Sequence, residues 1–478
     1  MHERGDKAVG NTRQHAIVIG ASIAGLCAAR VLSDFYDRVT IFERDELPST
    51  PDNRAAVPQG RHVHLLMARG AAEFDTLFPG ILDEMVAAGV PILENRPDCI
   101  YFGAAGHVLG TAHRLQDEFT AYVPSRPHLE WQIRRRVAGI PNVEIRGGSV
   151  REPLFDAGAQ RVTGVLLNLP DAAQPEQISA DLVVDATGRG TRLPVWLEQW
   201  GFERPREDSV DVGIGYASHQ LRIPDGLIDQ KVVVAGASRE QPLGLGLLCY
   251  EDGNWVLTTF GVGKVQPPQS FAEMRVLAEK LLPEQLAAAV KQAEPIGDVA
   301  FHRYPTTRWR RYDKLDRFPA GILPLGDAVA SFDPTYGQGM TMTSLQAGHL
   351  RRALESAPED PARELNRATA KTTYPVWVMN TIGDFSFHHA TGPQPWWYRP
   401  VGSLFDQFLG AAETDPVLAE WFLRRFSLLD SLYMTPSPAL VGRTIRHNMR
   451  LWLGERRQLR RERRQSRREK LQTPSAAR

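Results

Sequence analysis

Between Gln14 and Asp45 the apolar and polar positions follow a definite order. An apolar run at 16–19 leads into a small-residue turn from Gly20 to Gly25. An apolar stretch at 26–32 and a second run at 39–42, closed by Glu43, come next. Runs of four suit strands buried on both faces, while the stretch between them is long and rich in Ala and Leu; the order reads strand, tight turn, helix, strand. Helices are predicted at 67–78 and 124–137, with Arg126 at the start of the second, and strands at 143–145, 161–169 and 181–184. Short alternating runs at 90–110, and longer ones within 195–300 such as 212–221, 231–235 and 254–260, predict a mainly antiparallel sheet able to roof a pocket, with a helix near 271–282. A buried strand at 322–325 enters a Gly- and Pro-rich turn and a helix from about Gln338. Beyond residue 350 the chain reads as mostly helical, with helical spacing over 415–434.

In the first unit each position of Gly20, Ala21, Ser22, Ile23, Ala24 and Gly25 has a physical role. Gly20 permits the sharp turn, Ser22 stands where a glycine would let the backbone approach a pyrophosphate, and Gly25 lets helix pack on strand. The helix start then offers free amides and partial positive charge to phosphates. Glu43 follows Gly20 by 23 residues, at a strand end where a carboxylate can bind ribose hydroxyls. The plain alternative is a βαβ unit whose glycines serve packing alone; the agreement of strand, turn, helix and terminal acid favours dinucleotide binding. Two glycines, Arg30 and the return to a strand argue against a secretory leader.

The chain has 478 residues, 42% of them apolar, and no apolar stretch long enough to cross a bilayer, so a soluble protein of two or three domains is expected. Cys27, Cys99 and Cys249 lie far apart without metal-ligand spacing, which predicts small buried hydrophobes in a reducing cytoplasm. Formal charge is zero, but residues 455–470 hold nine Arg or Lys against three Glu, a net +6 that leaves −6 on the rest. With Glu455, Glu462 and Glu469 seven apart, this tail reads as a solvated helix standing off the body. It is either a basic extension without its own partner or a contact for an anionic membrane surface; no nucleic acid is expected.

Three further stretches stand out. In VPQGRHVHLL, His62 and His64 share one side of an extended segment with no third ligand, so no metal site is expected. ATGRGT at 186–191 is a turn that brings amides close to something flat or anionic. In GILPLGDAVASFDPTYGQGMT, Asp327 at a strand end can accept hydrogen bonds from sugar-alcohol hydroxyls, and the following helix start can face negative charge on a reduced ring. Standing alone it would be a glycine-rich turn with a capping aspartate. Trp377, Trp396, Trp397, Tyr398, Phe405, Phe408, Trp421 and Phe422 either fill a core or frame an apolar mouth.

GASIAGL with Glu43, VVDATGRGT and LGDAVASFDPTYGQGM, in this order and separation, resemble the three FAD-contacting segments of the flavoprotein monooxygenases related to para-hydroxybenzoate hydroxylase. Within that superfamily the segments look most like bacterial FAD-dependent epoxidases acting on polyene precursors of polyethers, with squalene epoxidase a more distant relative. The resemblance spans roughly 14–350. It implies an α/β fold: a Rossmann-like, glutathione reductase-type FAD-binding domain at 14–72, 120–194 and 301–355, and an inserted mainly antiparallel β substrate domain at 73–119 and 195–300. A helical C-terminal region follows at 356–454, with a basic tail at 455–478 and a disordered tail at 1–13. It further implies FAD, with Gly20, Ser22, Gly25 and Glu43 on the adenosine half, Arg126 near the middle, Asp327, Gly337, Gly339 and Met340 on the flavin half, and Ala21, Ile23, Ala24, Arg44, Arg61 and Gly188 also among the cofactor-binding residues.

The departures bear on mechanism. Thr187 replaces the aspartate of the Asp-Gly pair that many ring hydroxylases associate with nicotinamide binding, and no second glycine-rich βαβ signature occurs. NAD(P)H is the expected reductant, either directly or through a separate flavin reductase. Flavin-dependent halogenases use a lysine after the first segment and a Trp-x-Trp-x-Ile-Pro motif. This chain has no lysine between Lys7 and Lys231 and lacks the motif, which argues against halogenation. The resemblance implies insertion of one oxygen atom through a flavin hydroperoxide into a lipophilic polyene, terpenoid or polyketide, by epoxidation or hydroxylation. An alkene needs no strong base. For a phenol the nameable bases are Tyr216, His219, His302 and Tyr304, so no catalytic residue is assigned. A reductase of isoprenoid double bonds and a non-enzymatic flavin redox sensor are the competing readings. The expected location is cytoplasmic, with the inner membrane face within reach of the basic tail.

Overall fold

The computed structural model describes residues 13–55, 57–94, 99–111, 120–169, 174–357, 359–430 and 436–472, so residues 1–12 of the expected N-terminal tail lie outside it. Five strands form a parallel sheet in the order Ile322–Pro324, Leu182–Asp185, His15–Ile19, Arg38–Glu43, Val143–Gly147. Because side chains alternate along a strand, Ala16 and Val18 join one core with the helices Ile23–Leu32, Arg126–Ala138 and Gly339–Ser356. Ile17 and Ile19 join another with the strand Arg161–Asn168 and the helix Leu193–Gln199. Both faces are dry, and each buried aliphatic side chain contributes about 1.5–3 kcal/mol, which is why the run is continuous. Helix meets sheet at Gly25: a Cβ there would stand 1.8 Å from the Gly20 carbonyl oxygen, and Gly20 turns the chain at φ +103°.

The second layer is an eight-stranded sheet in the order Ala330–Ser331, Glu294–Arg310, Glu207–Arg222, Asn254–Val262, Leu243–Cys249, Val232–Ala235, Ile100–Ala104, His107–Val108. Every pairing is antiparallel except Val232–Ala235 with Ile100–Ala104. The expected mainly antiparallel sheet is therefore present. The boundary expected at residue 300 falls inside the 17-residue strand Glu294–Arg310. That strand carries Pro295 and Pro305, and on its outer side only Arg308 and Trp309 pair onward. An open edge tolerates prolines that a central strand would not, and the prolines hide the strand from a pattern reading.

Two other expectations change. The helices Ala68–Leu77 and Ile81–Ala87 bury Phe74, Leu77, Ile81 and Met85 in the core beside Ile23–Leu32, so this part of 73–119 packs with the nucleotide unit. The helix expected over 415–434 runs only Pro416–Phe426, with Leu428 at φ +58° just beyond; residues 431–435 lie outside the description. An unforeseen antiparallel sheet joins Ser149–Asp156, Arg161–Asn168 and Glu176–Ser179. The C-terminal helices Pro361–Asp384, Tyr398–Ala412, Pro416–Phe426 and Pro438–Gln472 follow. All three cysteines are free and buried, and among the described residues no helix is long and apolar enough to cross a membrane.

Candidate active site and cofactor cleft

One cavity of about 1700 Å³ lies where the first turn meets the Asp327 turn, and it continues beneath the eight-stranded sheet to the C-terminal helices. Gly20, Ser22, Ile23, Ala24, Glu43 and Arg44 line one end, and Asp327, Gly337, Gly339 and Met340 line the middle, with Arg126 and Gly188 also on the wall. Ala21 and Gly25 lie buried beneath the turn, whereas Arg61 is exposed and off the wall. The segments touch. A Cβ on Gly326 would sit 2.7 Å from the Ala24 methyl, one on Gly188 3.9 Å from Asp327 Cβ, and one on Gly20 2.9 Å from the Ala186 carbonyl oxygen. The three motifs, each more than a hundred residues from the next in sequence, thus form one continuous surface.

The polar end is built from carboxylates and arginines. Glu43 Oε2 accepts from the Ala21 amide at 2.8 Å, and Oε1 accepts from the Asp45 amide at 3.0 Å, which pins the carboxylate under the turn. Ser22 opens the helix Ile23–Leu32 in an extended conformation without capping it by its side chain. Its hydroxyl instead donates to Glu130 at 3.1 Å and accepts from Arg126 at 3.1 Å. Arg54, whose side chain is 4% exposed, lies 3.5 Å from Glu43 and 3.1 Å from Glu130. These are ion pairs of poor alignment, since Arg54 Nε and Nη1 have no directed hydrogen bond. Arg126 and Arg134 stand 3.2 and 3.9 Å from Glu130, so three guanidinium groups face two carboxylates. Buried donors in excess, beside a helix start with uncapped amides, suit a diphosphate, and Glu43 suits a ribose diol. Arg54 and Glu130 escaped the sequence reading; neither sits in a recognisable motif.

The inner part carries perturbed acids. Burial raises the Asp327 pKa, opposed by Arg189, Arg126 and Arg310, so Arg126 reaches electrostatically from the first turn to the third motif. The side chain of Asp333 caps the next turn, accepting from the Thr335 amide at 2.8 Å and hydroxyl at 2.6 Å. Asp384 stands beside Asp333 and accepts from the Tyr336 hydroxyl at 3.1 Å. Burial, then Asp333, pushes Asp384 well above the ordinary carboxylate range, which favours its protonated form. Neither acid was foreseen. Of the candidate bases, Tyr216, His302 and Tyr304 line the cavity, whereas His219 is packed against Phe271 at 5.6 Å. The Tyr216 hydroxyl is buried and has no partner, and Tyr304 donates to Ser331 at 3.3 Å under the Arg189 guanidinium. His62, 2.7 Å from the Ser218 hydroxyl, is lowered to about 4 by burial, then by His302 and Arg61. His64 is lowered to about 3 by burial, then by Arg126. Both are neutral. No group of three possible metal ligands occurs among the described residues.

Gln338 ties this part to the C-terminal helices by donating to the Phe426 carbonyl at 3.2 Å. Phe405, Leu409, Phe422 and Phe426 close the far wall. The aromatic residues therefore serve both readings: Phe408 and Phe422 fill a core with Phe102, while Trp396 is 86% exposed.

This sheet order, turn and cleft define a chain with the fold of FAD-binding monooxygenases. The p-nitrophenol 4-monooxygenase PnpA from Pseudomonas putida DLL-E4 superposes with a TM-score of 0.59 at 18% identity, covering 88% of this chain and 99% of that one. The flavin-dependent brominase Bmp2 gives 0.60 at 13%, covering 93% and 100%. The chain itself belongs to the family of Protein Rv3254 of Mycobacterium tuberculosis (strain ATCC 25618 / H37Rv), with 72% identity over 461 residues, 95% of this chain and 97% of that protein. The model described as the Mycobacterium Rv3254 C-terminal domain matches residues 392–458. Kynurenine 3-monooxygenase of Salinispora arenicola (strain CNS-205) is 26% identical over 370 residues, 73% of this chain and 74% of that protein. The likeness is thus to para-hydroxybenzoate hydroxylase-like monooxygenases broadly.

Proposed function

We propose that this chain is an FAD-dependent monooxygenase that inserts one atom of molecular oxygen into a lipophilic substrate, by epoxidation or hydroxylation. The observation that carries the reading is the single cavity shared by the Gly20 turn, the Asp327 turn and an apolar far wall. The residues present fit FAD: an uncapped helix start, under-bonded Arg54, Glu43 fixed at a strand end, and a turn at Gly326 with no room for a side chain. Ser22, Glu43, Arg54 and Arg126 hold its adenosine and diphosphate half, and Gly188, Asp327 and the 337–340 turn hold the ring half. Bound and reduced, FAD supplies the activation of oxygen. The protein's own part is to orient and to exclude water. Phe332, Phe260 and Phe385 line the cavity with apolar rings, and burial beside Asp333 favours a protonated Asp384 there. Electrons come from NAD(P)H, directly or through a flavin reductase.

The test is to load the purified protein with FAD, supply a reductant and labelled oxygen, and screen apolar alkenes and aromatics for products carrying one labelled atom. Turnover under strict anaerobiosis, without oxygen in any product, would replace this reading with a reductase of isoprenoid double bonds.

A further inference from the structure

Among its described side chains the helix Pro438–Gln472 meets the body at Leu440, Arg443, His447 and Asn448. Arg443 pairs with Asp415 at 2.8 Å, Asn448 donates to Gln407 at 3.4 Å, and Leu440 packs against the C-terminal core. A neighbouring face carries Val441, Ile445, Met449 and Trp452, exposed by 42, 53, 57 and 50%. At about 100° per residue, spacings of four, four and three put these four within roughly a quarter-turn, a continuous apolar stripe. Beside it the helix Tyr398–Ala412 leaves Val401 and Leu404 exposed, while its Gly402, Phe405 and Leu409 line the cavity.

Charge decides what covers the stripe. Residues 438–454 contain Arg443, Arg446 and Arg450 and no Asp or Glu, and 455–470 add a net +6. A second copy packed stripe on stripe would set Arg446 and Arg450 against their equivalents with no acid on that segment to offset them. An anionic bilayer meets both requirements, because acyl chains take the apolar stripe and headgroup phosphates take the arginines. The Arg456 guanidinium lies 3.8 Å from the centre of the Trp452 ring, and such an amphipathic pair belongs at the headgroup boundary. We propose that this helix face is a membrane-docking surface, lying in the interface of an anionic bilayer with Val441, Ile445, Met449 and Trp452 inserted, beside the wall of the substrate cavity. A lipophilic substrate could then pass from bilayer to cavity with little exposure to water.

The experiment is vesicle flotation of the full chain, with phosphatidylcholine alone and with phosphatidylcholine mixed with phosphatidylglycerol. It reads binding without turnover, so it stands apart from the reaction proposed above. The expected result is flotation with the mixed vesicles only, about tenfold or more weaker in I445S/M449S, as loss of two half-buried side chains implies. It should also weaken in R446Q/R450Q and as salt rises toward ~0.5 M. Both pairs are surface changes, and unchanged thermal midpoints confirm folding. Flotation that is absent, or that I445S/M449S leaves intact, overturns the proposal. A dimer in light scattering that I445S/M449S dissolves, without vesicle binding, assigns the stripe to a second copy instead.

Discussion

The contact between Gly326 and Ala24 is where the two halves of the cleft meet, and it can be measured. Gly326 has φ +67°, a conformation costing an alanine about 1–2 kcal/mol, and its added methyl would stand 2.7 Å from the Ala24 methyl. Carbon atoms rest at about 3.5–4.0 Å, so helix start and turn must part by most of an ångström. Overpacking of this kind costs about 1–3 kcal/mol. G326A should therefore lose roughly 2–5 kcal/mol, divided between the apo fold and FAD binding, the upper part of which equals a hundredfold or more in Kd. Flavin fluorescence titration and thermal unfolding with and without FAD read both shares. G190A is the control, since that position lies in the neighbouring turn with nothing within 4 Å and no positive φ. A24G removes the opposing methyl, so G326A/A24G should recover the contact share relative to A24G and keep the conformational share. G326A behaving like G190A, or no recovery in the double variant, would refute the claim that these turns form one site.

Arg54 is the ion-pair partner of buried Glu43, so R54M leaves that carboxylate unpaired while Arg126 and Arg134 still face Glu130; a loss of about 3 kcal/mol in urea unfolding is expected, and a loss under ~0.5 kcal/mol contradicts the network. Asp384 has a folded pKa raised by burial and Asp333, so its contribution is fully present below the unfolded value of about 3.9 and is lost as pH climbs through the folded value. D384N should flatten that decline, and an unchanged pH slope would show that Asp384 is not protonated. His62 has the opposite sign: with its folded value near 4, its contribution is present above ~6.5 and lost as pH falls toward 4, about 3 kcal/mol in all. H62Q should be less acid-sensitive between those limits. The Tyr216 hydroxyl is buried without a partner, so Y216F should hold or raise the thermal midpoint. If substrate uses that hydroxyl, kcat/KM falls in Y216F at unchanged stability.

What the sequence made legible was local and periodic. The unit from 14 to 45 could be read because each of its glycines answers a contact, and the helix at 126–138 and the turn at Asp327 were bounded by clear signals. What stayed hidden depends on tertiary proximity. Arg54 has no motif because its meaning comes from Glu43 and Glu130, 11 and 76 residues away. Asp384 reads as an ordinary helix-end acid until the fold sets it against Asp333. The strand Glu294–Arg310 was masked by prolines that only an open edge permits. Arg61 shows the other side, since its place in a family-like segment leaves it exposed and away from the cavity wall.

Substrate choice has a physical address in this molecule. Proteins at 13–18% identity share the fold with this chain, yet a brominase and a nitrophenol monooxygenase stand among them, so the fold alone leaves the reaction open. The dinucleotide end of the cleft is built from the motif segments, whose task is the same whatever is oxidised. The far wall is different: Arg399, Gly402, Phe405, Asp406, Phe422 and Phe426 come from the stretch at 392–458 that matches the Rv3254 C-terminal domain. A wall whose polar side chains are Gln394, Tyr398, Arg399, Ser403 and Asp406 among apolar ones discriminates weakly among hydrocarbons, at about 1–3 kcal/mol per methylene, but strongly against a misplaced polar group. Specificity in this family should therefore follow the few polar atoms on that wall together with Tyr216 and the Asp333–Asp384 pair. Exchanging 392–458 between relatives should move substrate preference while leaving FAD affinity in place.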